Sequence, residues 1–201
     1  KKVLLSMRRP PTVRDTVELI KKKLPGGTIR TTLIVGFPGE EEEDFNELYN
    51  FVKDSRFDRV GVFTYSKEKG TPAGDFENQV DQNIKEERRE KIMLLQQKIS
   101  LEKNKEFIGK EIEMLIEHIE QTEDGKLRVV GRSFRDAPEI DGQLYIELDV
   151  IPTKVGIQKE QVSEVLSGFP IKSGMTINPG EFISVKVIGC DEYDLFGQLL
   201  N

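Results

Sequence analysis

The sequence predicts two folds in one chain: an α/β part over residues 1–106 and a small, five-stranded all-β barrel over 107–201. Three observations carry this reading. Helical and β-branched segments alternate up to about residue 66, the rhythm of a sheet built through crossover helices. Beyond residue 107 the hydrophobic period drops to two. The charge divides at the same place. Residues 1–106 carry 21 Lys+Arg against 19 Asp+Glu, a net of +2, whereas residues 107–201 carry 9 against 17, a net of -8.

The elements follow in order. In "TVRDTVELIKKKL", Thr12 is a candidate N-cap with Asp15 three residues on, close to a capping box. Val13, Val17, Ile20 and Leu24 recur at helical spacing, and Pro25-Gly26-Gly27 stops the helix. "TIRTTLIVG" is a β-branched strand whose continuous Leu33-Ile34-Val35 suits a strand covered on both faces. Phe45, Leu48, Tyr49 and Val52 form one stripe of a helix over about 41–54, and "FDRVGVFTYS" is a second strand. A loop of turn formers leads to "NIKEERREKIMLLQQKISLEKNKE", a helix over about 83–106 with Ile84, Ile92, Leu95 and Ile99 on one side. At about 1.5 Å per residue it reaches roughly 35 Å, enough to connect two bodies.

The second half then reads as five short strands. "KEIEMLIEHI" alternates Ile112, Met114 and Ile116 against Glu111, Glu113 and Glu117. "KLRVVGRS", "GQLYIEL", "EFISVKVIG" and "DLFGQLL" follow, separated by Gly, Pro and Asp, the pattern of a small barrel. The stretch from about 148 to 179 is long for so small a module and reads as an insertion.

Composition sets limits. Of 201 residues, 36% are hydrophobic and 33% charged, as in a soluble globular protein, and no apolar run approaches a membrane span. One Cys and one His exclude an intrachain disulfide and a Cys/His zinc site, and fit a reducing compartment such as the cytoplasm. The start, "KKVLLSMRRPPTVRDT", has no signal-peptide core and no initiator Met, so the chain reads as an excerpt of a longer polypeptide.

"GFPGEEEEDF" at 36–45 runs from a strand end through a glycine turn into a helix start. Ligands of open α/β sheets sit at such strand ends, and Gly36 and Gly39 allow close backbone approach. Glu41 to Glu43 suit the positive end of the helix dipole. Glu40 lies in the turn itself, so a structural and a ligand-facing role both stay open. A phosphate loop is disfavoured, because no Lys-Ser/Thr follows and the glutamates repel an anion. Phe63 and Tyr65 alternate with Val62 and Thr64; ordinary core is the bland reading of the aromatics.

These motifs carry a resemblance. "GFPGE…EDF", "RFDRVGVFTYSKEKGTPA" and "GRSFRDAPEIDG" resemble the radical S-adenosylmethionine methylthiotransferases. The likeness extends from "VLLSMRRPPT" to "DEYDLFGQLL". "GRSFRDAPEIDG" favours the RimO-type branch, which modifies an aspartate on a small-subunit ribosomal protein, over the branch that modifies transfer RNA. The resemblance implies an α/β plus all-β chain: the C-terminal part of a radical-SAM partial βα barrel with a linking helix over 1–106, then a TRAM-like substrate-recognition barrel over 107–201. It also implies S-adenosylmethionine and two [4Fe-4S] clusters in the full-length enzyme. The cysteines that would hold those clusters are not in this chain, and Cys190 reads as structural. The fragment is therefore expected to be inactive alone, with no catalytic residue and no metal ligand of its own.

By the same resemblance Gly36, Phe37, Pro38, Gly39, Glu40, Phe63, Tyr65 and Ser66 would border the S-adenosylmethionine site. Arg132, Arg135, Asp136, Glu139 and Asp141 form a charged loop, read either as self-paired and solvated or as meeting the substrate protein. His118 reads as a surface residue and Lys21-Lys22-Lys23 as a helix C-terminus. The sequence departs from the family at Glu41, where Thr is usual, at Gly74, and in the insertion. A transfer-RNA methylthiotransferase and a non-catalytic interaction module are the alternatives. The net of -8 on the second half suits a basic ribosomal protein rather than a nucleic acid as substrate.

Overall fold

A computed structural model describes residues 12–138, 140–148, 169–172 and 175–200. Most of the insertion expected at about 148–179 lies outside the described residues. By contacts the chain divides into two compact units, 1–99 and 100–201.

In the first unit, α1 (Val13–Lys23) opens with a full capping box: the Thr12 N–H donates to Asp15 Oδ2 at 2.9 Å, and the Asp15 N–H to Thr12 Oγ1 at 3.1 Å. The strands β1 (Arg30–Val35) and β2 (Arg59–Thr64) pair in parallel, with Thr32 beside Gly61 and Ile34 beside Phe63. Helix α2 (Glu42–Ser55) makes the crossover between them. It ends where Arg56 takes a left-handed φ of 45° and donates its N–H to Val52 O. Phe45 and Val52 of the expected stripe are buried, with Leu48 and Tyr49 half-buried beside them. They join Val17, Val35, Phe57, Val60, Val62, Ile92 and Ile99 in one core.

Two expectations need correction here. The sheet is not covered on both faces among the described residues, since Ile34 and Phe63, neighbours across the strands, are 58% and 62% exposed. Helix α3 (Gln82–Lys105) does not bury Ile84, which is exposed. Its buried stripe starts instead with Lys85 and Arg88 and continues through Ile92, Gln96 and Ile99. The cations are inside because carbonyl and carboxylate partners await them there, as described below.

The second unit is a closed barrel in the order β3-β4-β5-β9-β8. Its strands are β3 (Glu111–Gln121), β4 (Leu127–Arg132), β5 (Leu144–Leu148), β8 (Phe182–Cys190) and β9 (Leu195–Leu199). All neighbours are antiparallel except β5 with β9. Register shifts between Ile116 and His118 and between Val187 and Gly189 help the strands curve. Alternation fills the interior: Met114 and Ile116, Leu127 and Val129, Leu144 and Ile146, and Val185 and Val187 are all buried there. Between β5 and β8, β6 (Phe169–Lys172) pairs antiparallel with β7 (Met175–Ile177), and Ile177 enters the barrel core.

Candidate functional site

The carboxyl ends of β1 and β2 are organised by charge. Gly36, at φ +74°, leaves β1 and begins the turn Gly36–Glu40. Its N–H donates to Glu40 Oε2 at 2.9 Å, while Arg88 Nη1 donates to Glu40 Oε1 at 2.7 Å and to the Glu40 carbonyl at 3.2 Å. Both carboxylate oxygens of Glu40 are therefore engaged inside the unit, and they give the turn its shape. Arg88 Nη2 also reaches Glu42 Oε2 at 3.4 Å. Gly39, at φ +83°, donates its N–H to Asn78 O at 2.9 Å.

One helical turn before Arg88, Lys85 does the same for β2. Its Nζ donates to Tyr65 O at 3.0 Å and lies 5.2 Å from the centre of the Tyr65 ring. Tyr65 in turn donates its N–H to Val35 O at 2.8 Å, so the two strand ends are tied together. Pro38 is buried and Ser66 exposed. Phe37 is half out of the protein and meets Tyr65 edge-on at 5.2 Å between ring centres, with Phe76 at 6.5 Å. The Tyr65 hydroxyl is buried and has no hydrogen-bond partner among the described residues. Orphaned polar atoms of this kind are rare in finished interiors, and this one sits beside exposed aromatic rings. The arrangement fits a ligand with a flat apolar face and polar edges.

The sequence reading missed Lys85 and Arg88, because charged residues are ordinarily read as solvated. Their spacing ahead of Ile92, Gln96 and Ile99 was the available signal.

In the barrel unit the charged loop is mostly turned on itself. Asp136 Oδ2 accepts from Ser133 Oγ at 2.7 Å and from the Ser133 N–H at 3.2 Å; Asp141 Oδ2 accepts from the Ala137 N–H at 2.8 Å. Arg135 is 5% exposed. Its Nη1 and Nη2 both donate to Asn104 Oδ1 at 3.2 Å, and the guanidinium lies 4.1 Å from the centre of the Phe107 ring. Asn104 Nδ2 completes the chain by donating to Asp191 O at 3.0 Å. Arg132 remains nearer the surface and pairs with Glu117 at 3.5 Å. Phe134 is 68% exposed, and Glu139 lies outside the described residues.

Burial, aided by Asp191 and Glu192 and opposed by Lys105, pushes the Cys190 thiol up. Among the described residues no three His, Cys, Asp or Glu side chains group as metal ligands, and no helix is long and apolar enough to cross a membrane.

Comparison with known proteins agrees with this architecture. Residues 108–200 match the family model of the TRAM domain. Over 99% of its length the chain is 43% identical to a protein of Trichormus variabilis named ribosomal protein uS12 methylthiotransferase RimO. It is equally similar, 43% over 99%, to the protein of that name from Nostoc sp., and 42% identical over 98% to that of Desulforamulus reducens. The chain spans 39% of the length of each of these relatives. Over the stretch it shares with them the chain is similar to the RimO methylthiotransferases, and its five-stranded barrel lies within the residues that match the TRAM domain.

Proposed function

We propose that the chain is part of an enzyme that methylthiolates the β-carbon of an aspartate on ribosomal protein uS12 by radical S-adenosylmethionine chemistry. The observation that carries this is the 42–43% identity, over nearly the whole chain, to proteins named ribosomal protein uS12 methylthiotransferase. Two features support it. The "GRSFRDAPEIDG" motif resembles that of the protein-modifying branch, and the net of -8 over residues 107–201 suits a basic substrate protein. In this reading residues 1–106 are part of the radical-SAM barrel with its linking helix, and 107–201 the substrate-recognition module.

Phe37, Phe63, Tyr65 and the backbone from Gly36 to Glu40 would hold S-adenosylmethionine, with Pro38 and Ser66 at its border. Bound there in the full-length enzyme, S-adenosylmethionine would supply radical hydrogen-abstraction chemistry. The chain's own contribution is to present two strand ends in fixed shape: Lys85 and Arg88 hold them, and the aromatic rings exclude water from one side. The single Cys190 cannot ligate a cluster alone, so cluster ligands belong to other parts of the enzyme and this chain by itself is inactive. The charged loop would meet substrate through its half-buried members Arg132, Asp136 and Asp141, since the Arg135 guanidinium is already committed.

Intact-mass spectrometry of small-subunit ribosomal proteins, with and without the parent gene, tests this. Loss of a methylthio-sized increment from uS12, mapped to an aspartate, is expected. An unchanged uS12 with loss of a methylthiolated adenosine from transfer RNA would overturn it.

A further inference from the structure

The start of the charged loop forms one wall of a groove whose other walls are β3 and β8 on the outer face of the barrel. Along β3 the side chains of Glu111, Glu113, Leu115 and Glu117 alternate outward, opposite the buried Met114 and Ile116. Leu115 is flanked by Phe182 on β8 and by Arg132 on β4. Phe134 stands two residues beyond Arg132. Phe134 and Phe182 are 68% and 67% exposed and line one groove of about 460 Å³. Glu111 and Glu113 also line it, and its one lining cation, Arg132, is paired with Glu117. Lys186 lies across from Glu111 at the groove's end.

Isolated exposed aromatics are ordinary on protein surfaces. Two of them around one groove, with carboxylates on its lining, make a recognition surface of definite chemistry. Aromatic anchors at a groove centre contribute most of the binding energy at interfaces, and charges beside them set partner choice and association rate. RNA also stacks on aromatic rings, but its binding needs unpaired Lys or Arg along the backbone path. The groove offers carboxylates instead, on a module with a net of -8 over residues 107–201.

We propose that this groove docks a basic, apolar-anchored segment of the substrate protein, with Phe134 and Phe182 clasping the apolar anchor and Glu111 and Glu113 facing Lys or Arg beside it. The proposal rests on uS12 being the substrate, and it assigns recognition to the outer face of β3, β4 and β8.

Binding of purified uS12, and separately of a transfer RNA, to the 201-residue chain tests it by fluorescence anisotropy at low and physiological salt. Phe134→Ser combined with Phe182→Ser should weaken uS12 binding about tenfold or more, as loss of a buried anchor does. Glu113→Lys should weaken it and flatten its salt dependence. Glu123→Lys, in the β3–β4 turn, should change neither, and melting temperatures should be unaltered because all four side chains are exposed. If uS12 binds equally well to the chain and to the groove variants, the groove is refuted while the substrate reading stands. Tight transfer-RNA binding lost in the same variants, without uS12 binding, would refute both. Absence of uS12 binding to the unaltered chain would also refute the groove.

Discussion

Arg88 and Glu40 meet at 2.7 Å with side chains only 7% and 12% exposed, so the pair sits where water no longer screens it. Such a pair costs much desolvation to form, yet removing one member is worse, because the other is left charged and unpaired. Arg88→Met or Glu40→Leu should each destabilise the first unit by about 3–5 kcal/mol. The double substitution should lose clearly less than the two singles together, since partners in one network do not add. Urea denaturation of all four proteins measures the coupling. Additive losses would mean the two side chains act independently.

The turn that this pair braces also constrains Gly36. A Cβ there would lie 2.3 Å from Lys85 Cγ, on a backbone already at φ +74°. Gly26 has a similar φ of +82° but open space around it. Gly26→Ala should therefore cost about 1 kcal/mol from backbone strain alone. Gly36→Ala should cost distinctly more, roughly 2–4 kcal/mol, as it adds displacement of a buried lysine. Equal losses at the two positions would show that Lys85 yields without resistance.

Much of this fold was legible because it obeys simple periods. The five barrel strands announce themselves through Met114 and Ile116 against Glu113 and Glu117, and in parallel alternations downstream. Helix α1 is readable from Thr12 and Asp15 alone. What was not legible depends on partners far away in sequence. Lys85 and Arg88 look like solvated surface until Tyr65 and Glu40, 20 and 48 residues distant, accept their hydrogen bonds. Arg135 reads as a binding residue until Asn104, 31 residues upstream, takes its guanidinium. The open face at Ile34 and Phe63 follows the same logic in reverse. The strand composition expects cover that the described residues do not provide.

Arg135 and Arg132 should accordingly separate in experiment. Arg135→Ala removes two charge-assisted hydrogen bonds and a ring contact from a buried position, which should cost about 3 kcal/mol of barrel stability. Arg132→Ala loses only a partly exposed pair with Glu117 and should cost about 1 kcal/mol or less. Thermal denaturation followed by circular dichroism distinguishes them. A larger loss at Arg132 would reverse the assignment of anchor and surface residue.

The two helix starts of the first unit make an internal comparison. At α1, Thr12 accepts from the Asp15 N–H while Asp15 accepts from Thr12. At α2, Asp44 accepts from the Glu41 N–H at 2.9 Å, but Glu is a poor N-cap. Glu41→Thr should stabilise α2 by about 0.5–1 kcal/mol. Thr12→Ala should destabilise α1 by a similar amount. Hydrogen exchange of the first-turn amides reports each helix separately, and unchanged protection in Glu41→Thr would show that the glutamate already caps as well as threonine.

Tyr145 gives the barrel a dependence on alkaline pH. Burial comes first in pushing its phenol above the ordinary value, and the charges of Asp194, Glu120 and Asp191 add to it against Arg128. The ring stacks on Phe196 at 6.1 Å, and the hydroxyl donates to Gln143 Oε1 at 2.6 Å. The folded state thus favours the protonated phenol more than the unfolded chain does. Its contribution is complete below the unfolded value of about 10 and is lost as pH rises through the folded value. The stability difference between the unaltered chain and Tyr145→Phe should therefore be constant from neutral pH to about 9 and shrink above about 10. Urea midpoints of the two proteins across that range measure it. A difference that stayed constant into strong alkali would mean that the phenol titrates alike in the folded and unfolded chains.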